Sequence, residues 1–293
     1  MIKSINDVVK LNNGILMPQF GLGVWKAEGQ DVVNAVKWAI EAGYRHIDTA
    51  AVYGNEKEVG QGLKECGVSR HDIFVTSKVF KMGYRETLDM MDQTLIDLQT
   101  DYVDLYLIHW PHPELGEVYL DVWAAMERIL KEGKARAIGV ANFYSEYIER
   151  IKEEGMTLPA VDQFECHPYY QMPELQQYCK DNGIQYEAYS PLGGGAIFGD
   201  EKLKAIAEKY NKDIAQIVLR WEMQKGIVVI PKSVKQHRIV SNMNVFDFEL
   251  SEEDSKAIDA MDINTKVTCA RPDQLWPDFL KEKEERMANG ARF

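Results

Sequence analysis

Two kinds of apolar segment alternate along this chain, and that alternation limits its fold more than any other feature. Tyr44 to Ile47, Phe74 to Lys78, Val103 to Ile108, Ala135 to Val140, Ala160 to Gln163, Gln185 to Tyr189 and Ile227 to Ile230 read as short buried strands. Between them lie stretches whose apolar residues recur at helical spacing. In Asp31 to Ile40 these fall at 32, 33, 36, 39 and 40, with Gly43 beyond as a stop. Glu86 to Leu98, Val118 to Leu130, Tyr147 to Lys152, Pro173 to Lys180, Glu201 to Tyr210 and Ile214 to Gln224 follow the same pattern. Strands alternating with helices imply parallel βαβ units, and about eight of them in one chain favour a closed (β/α)8 TIM barrel of the α/β class over an open sheet.

Val8 to Leu11 and Ile15 to Met17 flank Asn12-Asn13-Gly14, which predicts an N-terminal β-hairpin. No Pro/Gly/Ser-rich linker divides the 293 residues, so 1–293 reads as a single barrel domain. The tail from Arg271 is mixed. Pro272 and Pro277 keep its first part looped, and Leu280 to Ala288 is a charged helix candidate, an extra C-terminal element.

A net charge of −12 argues against nucleic acid or an anionic membrane as partner, while leaving room for one small basic pocket. The chain has no apolar run long enough to span a bilayer, and its first residues lack the apolar core of a signal peptide. Cys66, Cys166, Cys179 and Cys269 form no CxxC pair, so neither a zinc site nor a disulfide framework is expected. The expectation is a cytoplasmic monomer with reduced thiols, acting on a small molecule without a metal.

The chemistry is concentrated at strand ends. Gly43-Tyr-Arg-His-Ile-Asp48-Thr-Ala-Ala-Val-Tyr53 runs from a strand into a loop carrying a carboxylate and, five residues on, a phenol. Lys78 closes an otherwise apolar strand, where an unpaired lysine is costly to bury. His109 follows the next strand. Taken singly, Asp48 reads as a cap, Tyr53 as packing and His109 as structural. Together they suit carbonyl reduction: hydride attack builds negative charge on oxygen, and an acid must deliver a proton to it. Tyr53 would be that acid, made effective by the Lys78 charge. Asp48 would hold Lys78, and His109 would donate a hydrogen bond that positions the carbonyl.

From end to end the chain resembles the aldo-keto reductases. The segment Gly43 to Ala50, with Glu56 and Val59-Gly60 at matching offsets, resembles the family's first signature. Ile230-Pro-Lys-Ser233, with Arg238 and Asn242 downstream, resembles its C-terminal signature. The resemblance implies a barrel binding NADP(H) in extended form and the tetrad Asp48, Tyr53, Lys78 and His109. It also implies cofactor contacts. Tyr189 would stack on the nicotinamide, Asn142 and Gln163 would hold its carboxamide, and Val24, Trp25 and Asp48 would lie nearby. Ser190 and Leu192 would line the pyrophosphate, with Val234 and Asn242 toward the adenosine. Lys232, Ser233 and Arg238 would grip the 2′-phosphate. The residues agree on that last point, since two cations and a hydroxyl after a final strand suit a phosphate, and NADPH is expected over NADH.

Trp25, Tyr53, Phe80, His109 and Trp110 would line the substrate pocket. Gly193-Gly-Gly195 lacks Rossmann spacing and reads as a loop over the pyrophosphate. Four positions depart from the common family pattern. Ala141 stands where many members have Ser, Ser241 where many have Glu, Asp162 where many have Asn, and Phe80 where several have Trp. The sequence is most similar to microbial diketogluconate and methylglyoxal-type reductases, which implies small α-dicarbonyl substrates. Two other readings compete: a non-catalytic NADPH-sensing or regulatory subunit on the same fold, and a barrel lyase or isomerase.

Overall fold

The structure, a computed structural model, describes residues 4–267, so Cys269 and the helix read at Leu280 to Ala288 lie outside the described residues. Strands β1 (Val8–Lys10) and β2 (Leu16–Pro18) form the expected antiparallel hairpin. The next eight strands are β3 (Leu22–Gly23), β4 (His46–Asp48), β5 (Phe74–Val79), β6 (Val103–Ile108), β7 (Ala135–Ala141), β8 (Val161–Glu165), β9 (Gln185–Tyr189) and β10 (Val228–Val229). They pair in parallel and in chain order. Parallel bridges from Phe20 to Val229 and from Gly23 to Lys232 join the last strand to the first, and the Gly21 N–H donates to Val229 O at 2.8 Å. The sheet therefore closes into the expected barrel.

Strand parity divides the core in two. Side chains alternate across a strand, so one set from each strand points to the barrel axis. Phe74, Leu105, Leu107, Ala137, Ala141, Val161 and Val228 form the inner cluster, which Leu11 and Met17 of the hairpin plug from below. The hairpin is anchored there by Asn12 Nδ2 to Pro159 O (2.9 Å) and Asn13 Nδ2 to Arg136 O (3.0 Å). The opposite parity, including Ile47, Val75, Tyr106, Ile138 and Phe164, packs outward against the helices.

The helical shell comprises α1 (Gln30–Glu41), α2 (Glu56–Glu65), α3 (Tyr84–Leu98), α4 (Val118–Lys131), α5 (Ser145–Glu153), α6 (Pro173–Asp181), α7 (Glu201–Tyr210), α8 (Ile214–Gln224), α9 (Gln236–Asn242) and α10 (Glu252–Asp259). In α1, Val32, Val33, Val36 and Ile40 are buried, each worth roughly 1.5–3 kcal/mol. The helix ends as its sequence predicts: Gly43 has φ 106° and its N–H donates to Ile40 O at 3.1 Å. Among the described residues no helix is long and apolar enough to cross a membrane.

Several elements depart from the sequence reading, which also leaves the short helices α9 and α10 unread. β3 has only two residues, too few to register as an apolar run. β4 starts at His46, because Tyr44 sits before the strand with its hydroxyl donating to Ile239 O at 2.8 Å. Helix α2 escapes a search for apolar spacing because glycines supply two of its five buried positions. A Cβ on Gly60 would stand 2.7 Å from the Leu98 backbone, so α2 and α3 approach too closely for any side chain there.

Candidate active site

Asp48 is the last residue of β4, and Lys78 lies one residue before the end of β5, the neighbouring strand. Both point inward, and both are buried. Lys78 Nζ donates to Asp48 Oδ1 at 2.6 Å, to Asp48 Oδ2 at 2.8 Å and to Thr49 O at 2.9 Å. Three acceptors for three ammonium hydrogens leave the buried cation fully satisfied. Burial raises the Asp48 carboxyl above the ordinary carboxylate range, and the Lys78 charge and the Gln163 amide oppose that rise.

After Asp48 the chain makes one 3₁₀ turn, Ala51–Tyr53, which brings the phenol back over the strand ends. The Lys78 ammonium lies 5.3 Å from the centroid of the Tyr53 ring. His109, just beyond β6, meets that ring edge-on at 5.6 Å. The structure thus brings together all four residues that sequence reasoning singled out. His109 is buried, and burial followed by the Lys78 charge holds its imidazole well below the usual range, hence neutral. Its Nδ1 has no hydrogen-bond partner among the described residues, which suits an unprotonated Nδ1 and a hydrogen on Nε2.

Two of the expected pocket walls, Phe80 and Trp110, adjoin His109. Phe80 meets His109 edge-on at 5.9 Å, and Trp110 stacks beside His109 at 6.4 Å with 20° between planes. Trp25 is half-buried, with Lys26 Nζ 4.3 Å over its ring, while Val24 is buried.

The residues expected to meet a nicotinamide come from β7, β8 and β9. Asn142 Nδ2 donates to His109 O at 3.0 Å, and the Tyr189 hydroxyl donates to Asn142 Oδ1 at 2.9 Å. Asn142 and Ser190, at the ends of β7 and β9, hold φ values of 64° and 50°. A left-handed serine is uncommon, and such backbone strain collects where a chain must present groups to a ligand. Gln163 Nε2 donates to Asp48 Oδ2 at 2.8 Å and to Glu187 Oε2 at 2.9 Å. Leu192 is half-buried and leads into the 3₁₀ segment Gly193–Gly199.

The expected phosphate residues gather where β10 runs into α9. Lys232 and Arg238 are exposed, and among the described residues neither lies within ion-pair distance of a carboxylate. Lys232 Nζ donates only weakly, to Lys26 O at 3.4 Å, which places it beside the loop carrying Val24 and Trp25. Ser233 Oγ accepts from Lys235 N–H at 3.1 Å, Val234 is half-buried and Asn242 is buried. Two cations left without counter-ions, next to a hydroxyl, fit the 2′-phosphate expected there. Ser241 is occupied elsewhere, its hydroxyl donating to Asp213 Oδ2 at 3.1 Å.

Sequence reasoning missed Asn55, His46 and Glu187. Buried Asn55 accepts from Thr49 Oγ1 at 2.8 Å and donates to Val24 O and Ala27 O at 3.0 Å each, tying the Trp25 loop to the Tyr53 loop. His46 and Glu187 sit on the axis, two residues before Asp48 and Tyr189, so strand parity alone was a usable signal. His46 Nε2 is 3.0 Å from Thr76 Oγ1, and burial lowers its pKa to about 3. Gly21 leaves room for that ring, since a Cβ there would stand 2.7 Å from His46 Nδ1. Glu56, part of the first signature, faces the shell instead: Ser77 Oγ and Thr94 Oγ1 donate to it at 2.6 and 3.3 Å.

Comparison with known proteins resolves the family. Residues 19–263 match the Aldo/keto reductase family model. The chain belongs to the aldo/keto reductase family. It is 50% identical over 278 residues to glyoxal reductase of Bacillus subtilis, covering 94% of this chain and 99% of that one. It is 41% identical over 270 residues to methylglyoxal reductase DkgA of Escherichia coli, covering 92% and 98%. Among solved structures, a variant of Gox0644 in complex with NADPH superposes with a TM-score of 0.87 at 39% identity, covering 92% of this chain and 98% of that one. This aldo/keto reductase is therefore an oxidoreductase enzyme on a (β/α)8 barrel, with its tetrad at the C-terminal ends of the strands.

Proposed function

We propose that this aldo/keto reductase uses NADPH to reduce small activated carbonyls, α-dicarbonyls such as glyoxal and methylglyoxal foremost, with Tyr53 as proton donor. The observation that carries the reading is the buried Lys78–Asp48 pair, with its ammonium 5.3 Å from the Tyr53 ring. Bound NADPH would supply the hydride. Every other requirement falls on residues of this chain.

Tyr53 gives its phenolic proton to the carbonyl oxygen as negative charge develops there. The phenolate left behind is stabilised by Lys78. At that separation and an effective dielectric near 20, unit charges attract by about 3 kcal/mol. Asp48 and Thr49 hold the ammonium in place, so it needs no reorganisation during the reaction. His109, neutral, donates from Nε2 to the carbonyl oxygen and orients it toward Tyr53. Phe80, Trp110 and Trp25 wall off water.

Lys232, Ser233 and Arg238 hold the 2′-phosphate, while Asn142, Gln163 and Tyr189 hold the nicotinamide, with Ser190 and Leu192 between them. Three unbridged thiols, Cys66, Cys166 and Cys179, suit a reducing, cytoplasmic setting. Glyoxal and methylglyoxal reductases among the relatives favour dicarbonyls as substrates.

The test follows NADPH oxidation with methylglyoxal for the wild type and for Tyr53→Phe. Turnover that collapses in the variant while NADPH still binds is the expected result. Binding without turnover by the wild type across a broad carbonyl panel would replace the reductase with a sensor. Plain ketones turning over as fast as dicarbonyls would remove the substrate preference.

A further inference from the structure

Glu187 takes no part in the scheme above, yet it lies at its centre. It is fully buried in the middle of β9, with the same inward parity as Tyr189. Its Oε2 and Asp48 Oδ2 share one donor, the Gln163 amide nitrogen, at 2.9 and 2.8 Å. An amide nitrogen carries two hydrogens, and here each has its own carboxyl oxygen. Turned over, the amide would set its oxygen against the ionised Asp48, which the dry interior forbids. Asp48 therefore decides which way the amide faces. Glu187 takes the second hydrogen and so removes the remaining freedom to swing. Among the described residues no donor serves the Gln163 oxygen, which is left as a fixed acceptor.

We propose that Glu187 is a positioning residue: with Asp48 it locks the Gln163 amide so that Oε1 accepts from the N–H of the nicotinamide carboxamide. The inference rests on the NADPH reading and goes one step further, to which hydrogen bond the protein makes and what enforces it.

The surroundings of Glu187 support a held, uncharged acceptor. Asp48 and His46 face it from β4 and Lys78 from β5, while β8 contributes neutral Gln163 and β10 its register partner Val228. His46 Nε2 lies 3.8 Å from Glu187 Oε1, and the ring is neutral. Burial, then the Asp48 charge, raise the Glu187 pKa to about 8. Near neutral pH the acid thus carries a proton and accepts through its carbonyl oxygen, adding no second anion beside Asp48.

The test measures dissociation constants by quenching of tryptophan fluorescence, for NADP⁺ and for its 3-acetylpyridine analogue. In the analogue a methyl ketone replaces the carboxamide and has no N–H to offer. The wild type is expected to prefer NADP⁺ by about tenfold, the worth of one hydrogen bond. Glu187→Met should shrink that preference to within about twofold, mainly by weakening NADP⁺, because the amide, still bonded to Asp48, can then swing its released second N–H toward either ligand. Glu187→Gln keeps an acceptor oxygen and should restore the wild-type ratio.

An unchanged ratio in Glu187→Met overturns the inference, as does a wild type without the preference or a Glu187→Gln that loses it. The last two measurements hold even where Glu187→Met does not fold. Binding of neither dinucleotide overturns the NADPH reading, and this inference with it. Binding with the wrong ratios overturns the inference alone.

Discussion

Lys78 and Lys232 are held in opposite ways. Lys78 is fully buried and spends its three hydrogens on Asp48 and Thr49. Lys232 is exposed, 3.4 Å from a single carbonyl oxygen and without a carboxylate partner among the described residues. The contrast separates two uses of a positive charge. A charge that must act on a neighbouring phenol is held in one place, and the protein supplies its counter-ion. A charge meant for a ligand is left incomplete, so that the ligand supplies the counter-ion. In the proposed scheme the interior charge therefore serves stability and turnover together, and the rim charge serves binding alone.

The largest effect is expected from Asp48→Asn. It strips the counter-charge from a buried ammonium, which should cost about 3–5 kcal/mol of stability in urea denaturation and most of the turnover. A variant as stable as the wild type would break the comparison, because it would mean that Lys78 does not need its partner.

Lys232→Ala and Arg238→Ala come next. Each should weaken NADPH binding by about 1.5–3 kcal/mol, the worth of a charge-assisted hydrogen bond, while leaving NADH binding and the denaturation midpoint unchanged. Titration of both dinucleotides by fluorescence checks this. Equal losses for NADPH and NADH would move the two cations away from the 2′-phosphate.

Asp162 sharpens the comparison with a third case, a buried carboxyl given no cation among the described residues. It is the residue before Gln163 and points outward, and among the described residues no side chain donates to it, the Phe143 N–H being its one weak neighbour. Burial raises its pKa well above the usual range, opposed only in part by the Phe143 N–H. A carboxyl raised in the folded state favours folding fully below its unfolded pKa near 4, and that contribution is lost as pH rises through the folded value. Asp162→Asn should therefore match the wild type near pH 3 and exceed it increasingly above pH ~4, by about 1–3 kcal/mol at the plateau. Thermal melts across pH check it, and a gap that stays flat with pH would count against it.

The smallest effect is expected from Ser241→Ala. Its hydroxyl serves Asp213 at the surface, so stability should change by no more than about 0.5 kcal/mol. NADPH affinity should stay at the wild-type value, and a clear loss of it would assign Ser241 a place at the adenosine after all.

The barrel was legible because its information is repeated. Each βαβ unit carries the same alternation, so the missed strand Leu22–Gly23 and the unread helix Glu56–Glu65 did not alter the architecture. The unread elements share a physical reason: they are short, or they pack through glycine backbone, and neither leaves an apolar period. The tetrad was legible because a barrel puts the end of every strand at one rim. Asp48, Lys78 and His109 each follow a recognisable apolar run, and Tyr53 is one turn from Asp48. The cluster proposed for the phosphate was legible because its members are neighbours in the chain, with Lys232, Ser233 and Arg238 spanning one loop and the start of one helix.

What the sequence determined by itself was periodicity and local order: which segments are strands, which residues end them, and which loop gathers two cations and a hydroxyl. Tertiary structure alone decided who meets whom across the axis. Gln163 and Glu187 come from neighbouring strands and Asp48 from one more than a hundred residues earlier, yet one amide nitrogen bonds both acids. Strand parity separates Glu187, in phase with Tyr189, from Asp162, which is equally buried but out of phase with Gln163, yet it does not say which donor either acid meets. Alternation tells that two residues lie on the same face of a strand, but the closure and register of the whole sheet set which faces converge, and in a low-dielectric interior that convergence decides which buried acid finds a donor and which does not.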